Sequence, residues 1–321
     1  MKMGKLSGWT AAAIAGAIVA SGALATAACA ADKYPSRPVT WIVPFGTGGQ
    51  LDVMSRAMAR AVEKHLGQPV VVKNAMGGGG TVGVTQIANA TPDGYTVGLI
   101  PVTMLSVSPH RMKLSYDIDS FTYFKAWGNM PMGIAVPAKS SYQTMKDLVE
   151  TARERRVTVV STAPGGAQSL LLQMMNMKYK TQFREIPSKG GGEGVAAVLG
   201  GHTDAIISNT SILTGGNDLR LLASVSQQRW PNRPDVPTSA EQGFELPTSD
   251  VFITTAGPNG IPKEAIEAWD KALAAAVKDP ELIDVAQRFA MVLMDNMSGD
   301  EFKRIAKEQK AEFGPIIESL K

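Results

Sequence analysis

Short apolar runs alternate along this chain with longer segments whose apolar residues recur at helical spacing. The run at 39–43 is largely apolar and predicts a buried strand, and residues 51–66 place apolar side chains on one helical face. Between them lies the glycine-rich break Pro-Phe-Gly-Thr-Gly-Gly at 44–49. A strand, a glycine loop and a helix start leave free backbone N–H groups at the positive end of a helix dipole. This arrangement predicts an anion site that needs no charged side chain.

The same alternation of strand and helix patterns continues to the end of the chain. Further strands are predicted at 70–72, 95–100, 134–136, 157–161, 185–187, 204–208, 219–225 and 251–256. Helices are predicted at 51–66, 81–90, 145–155, 263–278, 280–289 and 299–319, and two more open at the glycines of 164–166 and 190–192. Such alternation is typical of an α/β protein with mostly parallel sheets.

The glycine-opened helix starts fall into two sets. Residues 46–49 and 77–80 form the early set, and residues 164–166 and 190–192 form the later one. Each half of the chain therefore offers backbone N–H donors at helix starts. This favours a ligand held between two lobes.

The first 30 residues have the pattern of a cleavable secretion signal. Lys2 and Lys5 precede an apolar stretch, and Ala28-Cys29-Ala30 matches the small-x-small cleavage pattern. We expect cleavage after Ala30 and a periplasmic mature protein. Two alternatives are an uncleaved membrane anchor, since the stretch approaches the length of a spanning helix, and a lipoprotein anchored at Cys29.

Composition excludes several classes of protein. Removing Lys2 and Lys5 leaves 30 basic and 29 acidic residues, so the mature chain lacks the concentrated basic charge of a nucleic-acid-binding protein. The single cysteine lies in the signal, so the mature chain has no disulfide. About 290 mature residues suit one large domain or two of ordinary size.

The sequence contains no complete set of residues for cofactor binding, metal binding or nucleophilic catalysis. The spacing Gly78-x-Gly80-x-x-Gly83 matches a dinucleotide fingerprint but lacks its acidic partner, and close helix–sheet packing explains it better, so no cofactor is expected. His65, His110 and His202 are scattered without metal-ligand spacing, so no metal is expected. No serine lies in a G-x-S-x-G elbow and no cysteine remains after cleavage, which leaves no visible catalytic set.

A series of short motifs runs through the chain in a specific order. In the first half they are Tyr-Pro-Ser-Arg-Pro at 34–38, Pro-Phe-Gly-Thr-Gly-Gly at 44–49 with Asp52, His-Leu-Gly-Gln-Pro-Val-Val-Val at 65–72, Asn74 with the glycines of 77–80, and Ala-Thr-Pro-Asp-Gly-Tyr-Thr at 90–96. In the second half they are Ser-Thr at 161–162 before Gly-Gly at 165–166, Lys-Gly-Gly at 189–191, Leu-Gly-Gly-His-Thr-Asp at 199–204, Arg-Pro-Asp-Val-Pro-Thr at 233–238, and Glu-Gln-Gly at 241–243. With these motifs the mature chain resembles the periplasmic solute-binding proteins of tripartite tricarboxylate transporters, the Bug family.

The resemblance implies a fold and a function. The fold is a two-lobed, Venus-flytrap, type II-like binding protein with two mixed or mostly parallel sheets and a ligand cleft between the lobes. Lobe one is expected at 31–131 plus 253–321, and lobe two at 132–252. The function is capture of a carboxylate-bearing metabolite, without catalysis, by a monomer that serves membrane transporter subunits.

The resemblance also implies which residues touch the ligand. In lobe one they are Phe45, Gly46, Thr47, Gly48, Gly49, Gln50 and Thr103, and in lobe two they are Thr162, Gly165, Gln168 and Asn209. Further candidates are Asp52, Ser188 and Lys189. Asp52 either caps local N–H groups or contacts a ligand amino group, and Lys189 either pairs with an anion or is a solvated charge.

The chain departs from the family pattern at several of these positions. Many relatives have Pro-Ala where this chain has Gly46 and Thr47, and a tyrosine where it has Ser188. We therefore expect a ligand other than the commonest one in the family. Two alternative functions are a secreted hydrolase-like enzyme and a sensor that presents its bound solute to a membrane signalling partner.

Overall fold

The structure is a computed structural model of the chain. It describes residues 34–162, 166–188, 190–214, 218–226, 228–230, 233–246, 250–289 and 291–319. The predicted signal peptide at 1–30 and the predicted ligand residues Gly165 and Lys189 lie outside these ranges.

The described residues alternate between strands and helices much as the sequence predicts. The strands are β1 Val39–Val43, β2 Val70–Asn74, β3 Thr96–Pro101, β4 Phe121–Met130, β5 Met132–Pro137, β6 Val157–Ser161, β7 Phe183–Pro187, β8 Ala205–Asn209, β9 Leu219–Ser224, β10 Val251–Pro258 and β11 Val292–Met297. The helices are α1 Gln50–Leu66, α2 Thr81–Ala88, α3 Thr103–Ser106, α4 Ser108–Arg111, α5 Met145–Glu154, α6 Ala167–Tyr179, α7 Gly191–Leu199, α8 Thr210–Leu213, α9 Lys263–Ala276, α10 Pro280–Arg288 and α11 Gly299–Glu318.

The strands form two separate mixed sheets. Sheet one has the order β11-β4-β10-β3-β1-β2, and sheet two has the order β7-β6-β8-β5-β9. The strands joined by helices pair in parallel, namely β1 with β2 and β3, and β6 with β7 and β8. The other pairs are antiparallel. Both sheets are therefore mixed rather than mostly parallel. Strands that enter or leave a lobe without a crossover helix are antiparallel to their neighbours.

Helices cover both faces of sheet one, and β1 explains why the sequence run is apolar at consecutive positions. Trp41 and Val43 point to one face and pack with side chains of α1 and α9. Ile42 points to the other face and packs with side chains of α2 and α11. A strand buried on both faces needs an apolar residue at every position rather than at alternate ones.

Sheet two is built in the same way. Ile134 and Val159 pack with α5 and α6 on one face. Val160 and Ile206 pack with α7 and Trp230 on the other. Each sheet therefore has its own pair of apolar layers, which makes two lobes.

The chain passes between the lobes at two points, and a helix contact joins the lobes as well. Pro131 links β4 to β5, and Asp250 immediately precedes β10. Phe313 of α11 is 1% exposed and shares an apolar cluster with Leu170 of α6 and with Val107, which lies between α3 and α4. The C-terminal helix of lobe one thus rests on the first long helix after β6.

β4 and β11 were not predicted from the sequence. β4 is ten residues long, and its buried aromatic residues Phe121, Tyr123, Phe124 and Trp127 are the signal that predicts a strand. β11 is an edge strand with exposed polar positions at Asp295 and Asn296, which leaves it little apolar alternation. Among the described residues, the helices are too short or too polar to cross a membrane.

Candidate ligand-binding site

The predicted ligand residues of lobe one lie at the carboxyl edge of the parallel strands. β1 runs into the glycine loop at 44–49, β2 runs into the loop at 75–80, and β3 runs into Thr103 at the start of α3. The carboxyl ends of neighbouring parallel strands meet at one edge of a sheet, where α/β proteins bind their ligands. The structure therefore brings this set of predicted residues together.

Asp52 holds the glycine loop in shape. Its side chain is 1% exposed, and its carboxylate accepts hydrogen bonds from the Gly48 N–H at 2.8 Å, the Arg56 Nε at 3.1 Å and the Asn74 Nδ2 at 2.8 Å. Burial opposes ionisation, but the bonds from Arg56, Gly48 and Asn74 outweigh it and lower the pKa of the carboxyl group. Of the two roles considered for Asp52, the geometry supports capping of a local N–H.

Asn74, at the end of β2, braces the loop from a second side. Its Nδ2 lies 2.9 Å from the Phe45 carbonyl oxygen and also donates to Asp52. Its Oδ1 accepts from Arg56 at 2.7 Å and from the Thr47 hydroxyl at 3.2 Å. Sequence reasoning placed Asn74 only within a family motif and gave it no role. An amide at the carboxyl end of a strand that pairs in parallel is the signal that points to it.

The free donors of the loop lie where α1 begins. Gly49 precedes the helix, and within the part of the chain that the structure describes no side chain caps it. The N–H groups of the first helical turn have no partner inside the helix. The Gln50 side chain donates to the Phe289 carbonyl oxygen at 3.3 Å. The Gly48 N–H donates to Asp52 and the Gly49 N–H lies 3.4 Å from the Gly46 carbonyl oxygen, so the candidate donors to an anion are the N–H groups of Gln50 and Leu51.

The second glycine loop leads into α2 and packs closely against the first. A Cβ atom at Gly83 would lie 2.7 Å from the Pro44 Cα and 2.8 Å from the Ala75 carbonyl oxygen. Only glycine fits such a close approach between a helix and a strand end. The packing explanation of the glycine spacing at 78–83 agrees with this geometry.

In lobe two the predicted residues gather at the carboxyl ends of β6, β7 and β8. Gln168 is 4% exposed and accepts from the Thr162 N–H at 2.8 Å and the Ser161 hydroxyl at 2.9 Å. The hydroxyl oxygens of Thr162 and Ser208 are 2.7 Å apart. Gln168 therefore ties the start of α6 to β6, and its amide is used within the protein.

Ser188 and Asn209 lie close to this group. Ser188 is 7% exposed, and its hydroxyl donates to the carbonyl oxygen of Ser161 at 3.1 Å or of Gly190 at 3.2 Å. Asn209 is half-buried and precedes α8. A Cβ atom at Gly194 would lie 3.0 Å from the Thr162 Cγ2. The lobe-two set is thus a compact group of small polar residues around glycine.

A polar network links the lobe-one edge to the second crossing. The Ser106 hydroxyl lies 3.1 Å from the Val102 carbonyl oxygen and 3.2 Å from the Gln309 Oε1. The Gln309 Nε2 donates to the Asp250 carbonyl oxygen at 3.2 Å. The Asp250 carboxylate, in turn, accepts from Asn129 at 3.1 Å and from the Ser226 hydroxyl. Of these residues, Asn129, Ser226 and Asp250 line a cavity of about 510 Å³ at the crossings, and the residues of the glycine loop do not line it.

Asp52 makes a testable contribution to stability. Because its pKa is lowered in the fold, the ionised carboxylate stabilises the protein above the ordinary pKa of 3.8, and this contribution is lost as the pH falls through the lower folded-state value. We expect Asp52→Asn to lower the free energy of unfolding at pH 7 by roughly 1–3 kcal/mol, since the amide keeps only one acceptor oxygen and removes the negative charge that pairs with Arg56. Urea unfolding at pH 7 and at pH 3 measures the difference. An equal difference at both pH values would contradict the role of the charge.

The described residues contain no group of three or more histidine, cysteine, aspartate or glutamate side chains arranged to hold a metal ion. The chemistry of both edges is that of backbone N–H groups, hydroxyls and amides. Such donors recognise a carboxylate or phosphate without a metal or a cofactor.

Two mixed sheets with a polar, glycine-rich edge in each lobe define the class of two-lobed solute-binding proteins. The family described as tripartite tricarboxylate transporter family receptor matches residues 54–321. The chain belongs to this family.

Individual relatives agree with this assignment. The chain is 30% identical to the "UPF0065 protein in gbd 5'region" of Cupriavidus necator, over 96% of this chain and 95% of the relative. It is 29% identical to the protein BugT of Bordetella pertussis, over 85% of this chain and 86% of the relative. A solved TctC solute-binding protein from Polaromonas matches with a TM-score of 0.82 and 28% identity, over 89% of this chain and 99% of that chain. The family resemblance and the two-lobed α/β fold that the motifs implied are both confirmed.

Proposed function

We propose that this chain is a periplasmic receptor that captures a small carboxylate between its lobes and delivers it to membrane subunits of a tripartite tricarboxylate-type transporter. We propose that the protein binds its ligand without catalysing a reaction and that it acts as a monomer. Its lobes would be 31–131 plus 253–321 and 132–252. Family membership supports a binding role, and no reaction is needed to explain the site.

One observation carries the proposal. The glycine loop at 44–49 is braced by Asp52 and Asn74 in front of the first turn of α1, where backbone N–H groups point out of the helix. A preformed loop of this kind costs little to order when an anion arrives. The helix dipole adds to the attraction of a carboxylate.

The identity of the carboxylate is a separate question. Fold neighbours from Rhodopseudomonas palustris contain bound malate and adipate, at 20% and 22% identity to this chain. At such low identity, these two neighbours support a shared fold and do not indicate which carboxylate this chain binds. The ligand of this chain therefore has to be found by screening.

Screening the mature chain against mono-, di- and tricarboxylates by thermal shift tests the proposal. A bound carboxylate at 100 times its Kd should stabilise the folded chain by about 2.7 kcal/mol, and the matching amide should give no shift. NMR of the ligand after incubation should recover it unchanged. Turnover would favour an enzyme, and no stabilisation by any carboxylate would refute the proposal.

Export is tested by the mass of the secreted chain. We expect the periplasmic fraction to contain a protein that begins at Ala31, because Ala28-Cys29-Ala30 fits the signal peptidase pattern. Intact-mass spectrometry distinguishes this from the alternatives. Retention of residues 1–30, or a lipid on Cys29, would show that the signal is an anchor instead.

A further inference from the structure

Apolar side chains surround the glycine loops of the lobe-one edge. Met76 is 68% exposed, and its Sδ lies 3.1 Å from the position of a Cβ atom at Gly46. The Phe45 ring and the Met104 Sδ both lie 3.2 Å from the position of a Cβ atom at Gly80. Two thioethers and one phenyl ring therefore stand beside the two glycine loops. We call Phe45, Met76 and Met104 the apolar wall.

The exposure of Met76 needs an explanation. Met76 is exposed together with Val82 on the same glycine loop, and apolar surface grouped in this way is typical of a binding site. Methionine is flexible and polarisable, and it makes favourable contacts with aromatic rings. Val82 is also 44% exposed next to Gly77, which extends the apolar surface along the second loop.

The scarcity of ionisable residues in these loops also favours a ligand with an apolar body. In the sequence of the loops at 44–52, 75–82 and 102–104, Asp52 is the only ionisable residue. Arg56 of α1 bonds to Asp52 and Asn74. A second ligand carboxylate placed against the apolar wall would lose its water without gaining a cation from these loops, which is costly.

We propose that the ligand is an aromatic monocarboxylate, whose carboxylate lies at the start of α1 and whose ring lies against the apolar wall. This rests on the proposed function and narrows its substrate class. Ring-to-thioether and ring-to-ring contacts favour an aromatic body over an alkyl chain of the same size. Met76 is then a specificity-determining residue.

Calorimetry on the mature chain tests the substrate class with length-matched probes. The aromatic probes are benzoate, phenylacetate and 3-phenylpropanoate, and the dicarboxylate probes are succinate, glutarate and adipate. We expect the tightest aromatic probe to bind at least about tenfold more tightly than the tightest dicarboxylate, from burial of one ring. Tighter binding of a dicarboxylate, or equal binding of hexanoate, would overturn the proposal and leave the receptor function standing. Failure of every carboxylate would refute the receptor function itself.

The variant Met76→Ser tests the wall directly. Its control is Met177→Ser, because Met177 is 62% exposed on α6 and lies about 15 Å along the helix from its N-terminal end. We expect Met76→Ser to weaken binding of the aromatic probe about fivefold to tenfold, and Met177→Ser to leave it unchanged. Equal affinities for the two variants would overturn the role of Met76. Because both side chains are exposed, neither change threatens the fold.

Discussion

Replacing Gly48 by valine is expected to abolish ligand binding while leaving the chain folded. Gly48 has a φ of +82°, in the left-handed region that β-branched residues avoid. Holding valine there costs about 1–3 kcal/mol. No atom lies within 4 Å of the new Cβ position, so the loop relieves the strain by changing its own backbone. This moves the N–H groups at the start of α1 out of register with the carboxylate.

Calorimetry with the best ligand from the screen should give a loss of affinity of at least about 100-fold. The matched control is Gly67→Val, since Gly67 has a φ of +70° and equally open surroundings but lies at the other end of α1. Both variants should lose similar stability, and only Gly48→Val should lose binding. Parental affinity in Gly48→Val would place the ligand elsewhere.

Phe313→Ala is expected to have the second large effect, because it removes an apolar contact between the lobes. Phe313 is 1% exposed among Leu170 and Val107. Truncation of a buried phenylalanine costs about 3–5 kcal/mol. We also expect the unliganded protein to open further, since the helix α11 loses its contact with α6. Small-angle scattering should give a larger radius of gyration than in the parent.

The control for this variant is Phe302→Ala. Phe302 is on the same helix and is fully buried, but it packs only with residues of lobe one. Its loss of stability should be similar in size and its radius of gyration unchanged. If the two variants scatter alike, the α11–α6 contact does not set the distance between the lobes.

Local patterns in the sequence predicted most elements of the fold. The helix at 51–66 and the strand at 157–161 match α1 and β6 within one residue, because each has a clear apolar pattern and Gly67 directly follows the helix. The partners of the strands were less predictable. β3 and β4 follow each other along the chain, yet β10 lies between them in sheet one.

The candidate site also combines local features that the sequence predicted with long-range contacts that it did not. The glycine loop was predicted from its own residues, since strand, glycines and helix start are contiguous. The brace by Asn74 and the network of Ser106, Gln309 and Asp250 were not, because their partners are far apart in the sequence. Such hydrogen bonds depend on which distant segments the tertiary fold brings together, and a local sequence pattern does not contain that information.

The position of β10 in sheet one also sets the order in which the chain is able to fold. The strands of sheet two all lie between residues 132 and 224, so that sheet is complete in sequence before β10 is made. Until β10 arrives, β3 has an open edge and β4 has no strand partner, because β11, its other neighbour, comes later still. Unpaired strand edges are prone to wrong pairing. The lobe that carries the glycine loop is therefore the last to have all of its strands available as the chain emerges from its N-terminus. A chain cut short before β10 would contain every strand of sheet two and only a part of sheet one.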